Sequence, residues 1–233
     1  MAHYVPPARR RIYLMRHGAV EYVAPDGHRY GSEERPLSAA GREQARAAGM
    51  FLRAAGVRPD RVMTSTLPRT IETARHVLAA LDLDLPIEQR EALKEIRSGR
   101  VADIPPERLE REYAQAFAGV VPAQQRYLGG ETFGAMVERV EADLARIVAD
   151  PQWDILLLVL HGAINRAILS YALTGGGTYL GNFQQSPGCI NVLDVGSDWV
   201  LRAANIAPTD PAHVRTRATT MEEQYQRYLE SLG

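Results

Sequence analysis

The sequence predicts an α/β domain of three layers, α/β/α, around a mostly parallel central sheet. Three features predict it. Residues 155–160, ILLLVL, form a continuous apolar run of the length of a strand buried on both faces. Short β-prone segments alternate along the chain with amphipathic stretches of helical period, the pattern of strands connected by crossover helices. Two strand candidates, IYLMRHG at 12–18 and ILLLVLHG at 155–162, end on His-Gly. That is the sheet edge where open α/β folds place their ligands.

The elements follow in order. A short strand spans 12–15, and a polar loop with Gly27 and Gly31 spans 21–35. Ser38 is suited to cap a helix whose face is Gly41, Ala45, Ala48, Leu52 and Ala55, with Gly56 closing it. A second strand covers 61–64, with Ser65 or Thr66 as cap of a helix carrying Ile71, Ala74, Leu78 and Leu81. From 85 to 130 the pattern loosens, with a strand near 86–90, a helix from 105 to about 117, and Pro and Gly on either side. This reads as an insertion over the sheet, a cap at about 96–130 within a single domain spanning 1–233. The helix 132–148 turns Phe133, Met136, Val137, Val140, Leu144 and Ile147 inward. After the strand 155–160 comes a helix from about 164 to 173. The segments 190–195 and 199–204, joined through GSD, form a hairpin-like pair. TMEE at 220–223 has the form of a capping box and opens a C-terminal helix.

Composition excludes several function classes. With 27 basic and 28 acidic residues in 233, the formal net charge is −1, so no global basic field points to nucleic acid. The longest apolar stretch falls far short of the ~20 residues that span a bilayer, which predicts no membrane association. The single cysteine, Cys189, forms no intrachain disulfide, and the basic start MAHYVPPARRR lacks an apolar segment behind it. Both features predict a cytoplasmic protein.

The chemistry gathers at the strand ends. His17 and His161 both sit there, each followed by a glycine that allows a sharp turn. If their strands are neighbours, the two imidazoles share one pocket, and Arg16 enters beside His17. Arg69 lies in the first turn of the helix after the second strand, and an arginine beside the free N–H groups of a helix start suits a tetrahedral oxyanion. Two arginines and two histidines make a phosphate pocket. Glu95, in LKEIRSG, adds a carboxylate for proton transfer; Glu91 and Glu21 are nearby alternatives. His3, His28, His76 and His213 have no such context and are expected to be ordinary surface or hydrogen-bonded residues. A metal site from His17, His161 and Glu95 is disfavoured, since no His-x-His or His-x-x-x-His spacing exists and two arginines repel a cation.

Taken together, the Arg-His-Gly strand end, PLSAAGREQA at 36–45, TSTLPRTIETA at 64–74, LKEIRSG, GGET at 129–132 and LHG at 160–162 resemble the histidine phosphatase superfamily. The resemblance runs in order from about residue 12 to residue 162. It implies a phosphoglycerate mutase-like fold and a phosphomonoesterase that needs no metal or organic cofactor. It makes His17 the nucleophile that takes the phosphoryl group, Arg16, Arg69 and His161 the groups that hold phosphate, and Glu95 the proton donor. Phosphoglycerate mutases share a His-Gly-Glu-Ser start and an Asn-Glu-Arg-His-Tyr-Gly stretch around the acid. Here these read HGAVEYV and LKEIRSG, which disfavours mutase chemistry. A non-catalytic phosphate-binding or scaffold protein is the remaining alternative, although all five core residues are retained. The expected partner is a small phosphomonoester. The loop 21–35 and the insertion offer Tyr22, His28, Arg29, Tyr30, Arg97, Arg100, Arg126 and Tyr127 for the rest of the substrate, and neither an anionic nor a ring-shaped substrate is singled out.

Overall fold

The computed structural model describes residues 7–230; residues 1–6, with His3, and 231–233 lie outside the described part of the chain. Eight strands and six α-helices occur among the described residues, in the order β1 (Arg10–Arg16), α1 (Ala39–Ala54), β2 (Arg61–Thr64), α2 (Pro68–Leu81), β3 (Ile87–Gln89), α3 (Pro106–Tyr113), β4 (Val120–Val121), α4 (Phe133–Ala149), β5 (Ile155–Leu160), α5 (Gly162–Thr174), β6 (Tyr179–Leu180), β7 (Ile190–Val195), β8 (Trp199–Ile206) and α6 (Thr220–Glu230). None of these helices is long and apolar enough to cross a membrane.

The central sheet has the order β3-β2-β5-β1-β7-β8. Its first four strands are parallel, and β7 and β8 add an antiparallel edge. Side chains alternate across the sheet as the period of two requires. Leu157 and Val159 of β5 join Ala45, Ala48, Leu52, Val77 and Leu78 of α1 and α2. Leu156, Leu158 and Leu160 point the other way and meet Met136, Val140 and Leu144 of α4 and Ile164 and Ile168 of α5. Both faces are dry, so β5 is apolar without alternation, and each fully buried Leu contributes about 1.5–3 kcal/mol. These are the three layers.

Several boundaries differ from the sequence reading. Neither Ser65 nor Thr66 caps α2; the cap position is Leu67, which has no side-chain cap bond, and Pro68 supplies the fixed φ suited to a first helical turn. Helix α3 ends at Tyr113 rather than near 117, and α5 begins at Gly162, two residues early, because His161 itself stands at the cap and its carbonyl accepts from Asn165 N–H. The capping box of α6 lies one residue upstream of TMEE. Thr219 Oγ1 accepts from Glu222 N–H at 3.2 Å while Glu222 Oε2 accepts from Thr219 N–H at 2.6 Å, which frees Thr220 to turn inward. Ala55 is exposed. The two-residue strands β4 and β6, which pair antiparallel, carry no sequence signal because they are too short for periodicity.

The segment 96–130 packs in two directions. Ile96, Ala116, Phe117 and Val121 join the core beneath α4 and α5, and Ile104, Leu109 and Leu128 form a small cluster that includes Tyr225 and Tyr228 of α6. Tyr113 lies 5.6 Å and 5.9 Å from those two tyrosine rings. The insertion and the C-terminal helix therefore stand together at the carboxyl ends of the parallel strands.

Candidate active site

Strands β1 and β5 are parallel neighbours with Arg16 opposite Leu160, so the residues that follow them emerge side by side. His17 N–H donates to the Leu160 carbonyl at 2.9 Å. The His17 and His161 rings lie 5.3 Å apart, edge to face. The adjacency expected from the two His-Gly strand ends is thus set by sheet register. Glycine follows His17 because the chain crosses the first turn of α1 there. A Cβ on Gly18 would stand 2.3 Å from the Gly41 carbonyl oxygen, and one on Gly41 only 1.9 Å from that of Ala19. At Gly162 a Cβ would press on two guanidinium groups, 3.3 Å from Arg166 Nη1 and 3.5 Å from Arg16 Nε.

His17 Nδ1 is 2.7 Å from the carbonyl oxygen of its neighbour Gly18. A carbonyl only accepts, so Nδ1 carries the proton and Nε2 holds the lone pair. Burial holds the His17 pKa well below its ordinary 6.5, and the charges of Arg69 and Arg16 push in the same direction. The imidazole is a neutral base. His161 is displaced the same way, by burial and then by Arg69.

Arg16 and Arg69 are both nearly buried, at 8% and 6% exposure, yet among the described residues neither forms an ion pair with an acid. Arg16 donates through Nη1 to the Gln185 carbonyl, and its Nη1 is 3.4 Å from Thr220 Oγ1. Arg16 Nε and His161 Nδ1 are buried polar atoms with no protein partner. Arg69 Nη1 donates to the Ser32 carbonyl at 2.9 Å, and burial lowers its pKa to about 10, which leaves it a cation at neutral pH. Buried charge without a countercharge is costly. Here the acid whose charge acts favourably on both arginines is Glu95, and the site has room for a further anion.

Glu95 reaches the same place from the segment after β3. Its Oε1 accepts from Ile96 N–H at 3.0 Å and from Ala163 N–H, in the first turn of α5, at 3.2 Å. Neither alternative joins it: Glu21 and Glu91 are exposed and outside the cleft, and Glu91 binds Lys94 and Thr66. The Glu95 backbone is propped from behind. Arg139 donates to the carbonyls of Ala92 at 2.6 Å and Lys94 at 2.9 Å, and is itself held by the buried Glu131 at 2.8 Å. Glu131 also accepts from Arg97 N–H. This is what the GGET segment contributes; Gly130 permits the close approach, since a Cβ there would lie 2.3 Å from the Arg97 carbonyl oxygen.

Arg16, His17, Arg69 and Glu95 line one cleft of about 750 Å³, whereas His161, fully buried, is not part of its lining although Gly162 and Ala163 after it are. Of the side chains expected to bind the rest of the substrate, Tyr22, Arg97 and Tyr127 face it, whereas His28, Arg29, Arg100, Tyr30 and Arg126 do not. His28 turns back to Asp26 at 2.8 Å, Arg100 reaches toward Asp103, and Arg126 donates to the Gly130 carbonyl, all on the exposed surface. Sequence reasoning missed Arg35, Tyr113, Arg166 and the α6 residues Thr220, Gln224 and Arg227, all on the cleft wall. Arg166, five residues after His161 and so about one and a half turns into α5, had a positional signal. The α6 residues had none. Among the described residues no group of three His, Cys, Asp or Glu side chains is placed to hold a metal ion.

Comparison with known proteins gives a consistent picture. The sequence model of the histidine phosphatase superfamily (branch 1) matches residues 12–206, ending with β8 and before α6. The chain is 32% identical over 166 residues to a 6-phosphofructo-2-kinase/fructose-2,6-bisphosphatase of Gallus gallus, a match covering 70% of this chain and 33% of that protein. It therefore spans about a third of the length of that relative. Among solved structures it resembles the alpha-ribazole phosphatase from Shigella flexneri, with a TM-score of 0.63 and 27% identity over 84% of this chain and 96% of that one. A phosphoglycerate mutase from Bacillus anthracis shares the fold, with a TM-score of 0.63 and 19% identity over 88% and 96% of the two chains.

Proposed function

This chain belongs to the histidine phosphatase superfamily, branch 1, and from that premise we propose that it hydrolyses a small phosphomonoester metabolite through a phosphohistidine on His17. The observation that carries the reading is the Nδ1 contact of His17 with the Gly18 carbonyl, which leaves a neutral Nε2 lone pair as nucleophile among unpaired arginines.

In the first step Nε2 attacks phosphorus and the bond to the ester oxygen breaks. Arg16, Arg69 and His161 take up the charge on the three equatorial oxygens. Glu95, entering as the acid, gives its proton to the departing alkoxide; Ile96 N–H and Ala163 N–H, the latter shared between both carboxyl oxygens, hold the group in place. In the second step the Glu95 carboxylate takes a proton from water, the water oxygen attacks phosphorus, and the P–N bond breaks to release orthophosphate. The fixed cations supply the charge stabilisation that a metal ion supplies elsewhere, so the reaction is metal-independent. Hydrolysis rather than mutase transfer is supported by HGAVEYV and LKEIRSG, which depart from the mutase pattern. The names of the relatives, a fructose bisphosphatase and a ribazole phosphatase, favour a metabolite as substrate. A buried lone Cys189 suits a reducing cytoplasm.

The test is mass spectrometry after rapid quenching with p-nitrophenyl phosphate. Acid-labile, base-stable phosphorylation on His17, absent in His17→Ala, is the expected result; phosphate on any other residue, or turnover without a phosphoenzyme, would refute the mechanism. Activity should also persist in EDTA.

A further inference from the structure

We propose that Arg35, held over the ring of Tyr22, binds a second anionic group, a carboxylate or phosphate, on the alcohol part of the substrate. The inference rests on the phosphomonoesterase reading and names the substrate class. Arg35 lies on the loop between β1 and α1 and lines the cleft that holds His17 and Arg69. Its Cζ is 4.6 Å from the Tyr22 ring centroid, a cation–π contact that fixes the plane of the guanidinium. Its Nε is buried and has no hydrogen-bond partner, and among the described residues no acid lies within ion-pair distance of it.

Lys94, Arg97 and Arg166 of the same cleft differ: Arg166 donates to the Gly162 and Gly181 carbonyls. Lys94 is occupied by Glu33 and Glu91, and Arg97 faces Glu131. Arg35 alone on this loop is both oriented and unspent. A guanidinium fork in that state matches the paired oxygens of a carboxylate or phosphate. Its position separates this role from that of Arg16 and Arg69. Arg35 lines the same cleft as His17 and Arg69 and as Tyr113 and Tyr127 of the insertion, and its charge acts on all four. It stands between the phosphoryl pocket and the aromatic wall, where the alcohol part of a bound ester lies.

The test is calorimetric titration in a His17→Ala background, which binds without turnover. The probes are glycerol 3-phosphate against 3-phosphoglycerate, which differ by one carboxylate, and fructose 6-phosphate against fructose 1,6-bisphosphate, which differ by one phosphate. At least one two-anion ligand should bind about tenfold to a hundredfold more tightly than its one-anion counterpart, the range of a charge-assisted bond. The pair that discriminates identifies the anion. Arg35→Gln should abolish the difference while leaving orthophosphate and one-anion binding within about threefold, and Arg35→Lys should restore part of it. Absence of discrimination in both pairs would overturn the proposal. So would equal weakening of orthophosphate, which would assign Arg35 to the transferred phosphoryl group. Failure to label His17 in the parent chain would instead strike the hydrolytic mechanism, which these titrations do not use.

Discussion

Ser65 Oγ lies 2.7 Å from His161 Nε2, deep under the loop that joins β2 to α2. The same oxygen accepts from Leu67 N–H at 3.2 Å, so the hydroxyl proton is free to point at the imidazole. Its other neighbour, Thr70 Oγ1, is farther away at 3.0 Å and has the Leu67 carbonyl to donate to at 2.8 Å. Donation from Ser65 puts the His161 proton on Nδ1, the ring atom that has no protein partner. In the proposed mechanism this makes His161 a donor rather than a competing base.

Ser65→Ala should therefore lower kcat by about tenfold, the worth of one preorganised hydrogen bond, while reducing stability by only ~0.5–1.5 kcal/mol. Parallel measurement of kcat and urea midpoint separates the two. An unchanged kcat beside a lowered midpoint would make Ser65 structural only.

Arg69→Ala removes a preorganised, nearly buried donor and should cost ~2.7–4 kcal/mol of transition-state stabilisation, about a hundredfold to a thousandfold in kcat. A loss below about fivefold in steady-state turnover would contradict its place in the pocket.

Glu95→Gln should divide substrates by leaving group. A positioned general acid contributes about 10²–10⁴-fold when an alkoxide departs and far less for p-nitrophenolate. Rapid-quench rates of phosphohistidine formation should fall steeply for a sugar phosphate and mildly for p-nitrophenyl phosphate. Equal losses would remove Glu95 as the acid.

The pair behind Glu95 predicts a milder phenotype. Glu131→Gln weakens the hold on Arg139, and with it the backbone of Ala92, Lys94 and Glu95. Alkyl phosphates should again suffer more than p-nitrophenyl phosphate, by about tenfold, as a positioning effect on the acid requires. A uniform loss across leaving groups would show general loosening instead.

Stability should depend on pH through the two histidines. Folding holds the pKa values of His17 and His161 well below the ordinary 6.5, so between those depressed values and 6.5 the unfolded chain binds more protons than the folded one. Stability is complete above that window and falls as pH drops through it. Urea midpoints measured at pH 7.5 and pH 5 should show a smaller decline in His17→Asn than in the parent chain. Identical declines would mean that His17 titrates as an exposed imidazole does.

The residues that do the proposed chemistry were legible in the one-dimensional pattern because each is tied to a local signal. Arg16, His17 and His161 close apolar strands, Arg69 opens a helix, and strand ends of a parallel sheet share one edge by topology alone. The three-layer fold was legible for the same reason, since burial of β5 on both faces writes a continuous apolar run into the sequence. What surrounds that centre was not. Ser65 looks like a helix cap until the Pro68 start and the His161 contact give it another partner, and Thr220 looks like one until Arg16 stands beside it. Asp143 sits at a core-facing position of α4 only because Arg90 meets it with bonds of 2.5 and 3.0 Å from beyond β3. Arg35 gives no signal in sequence because the role proposed for it rests on there being no acid within ion-pair distance among the described residues. Local periodicity and turn chemistry determine which elements form and what lies at their ends. Which distant side chains come within 3 Å of one another, and which cations are left unpaired, is decided only when the sheet, the insertion and the C-terminal helix close on one cleft.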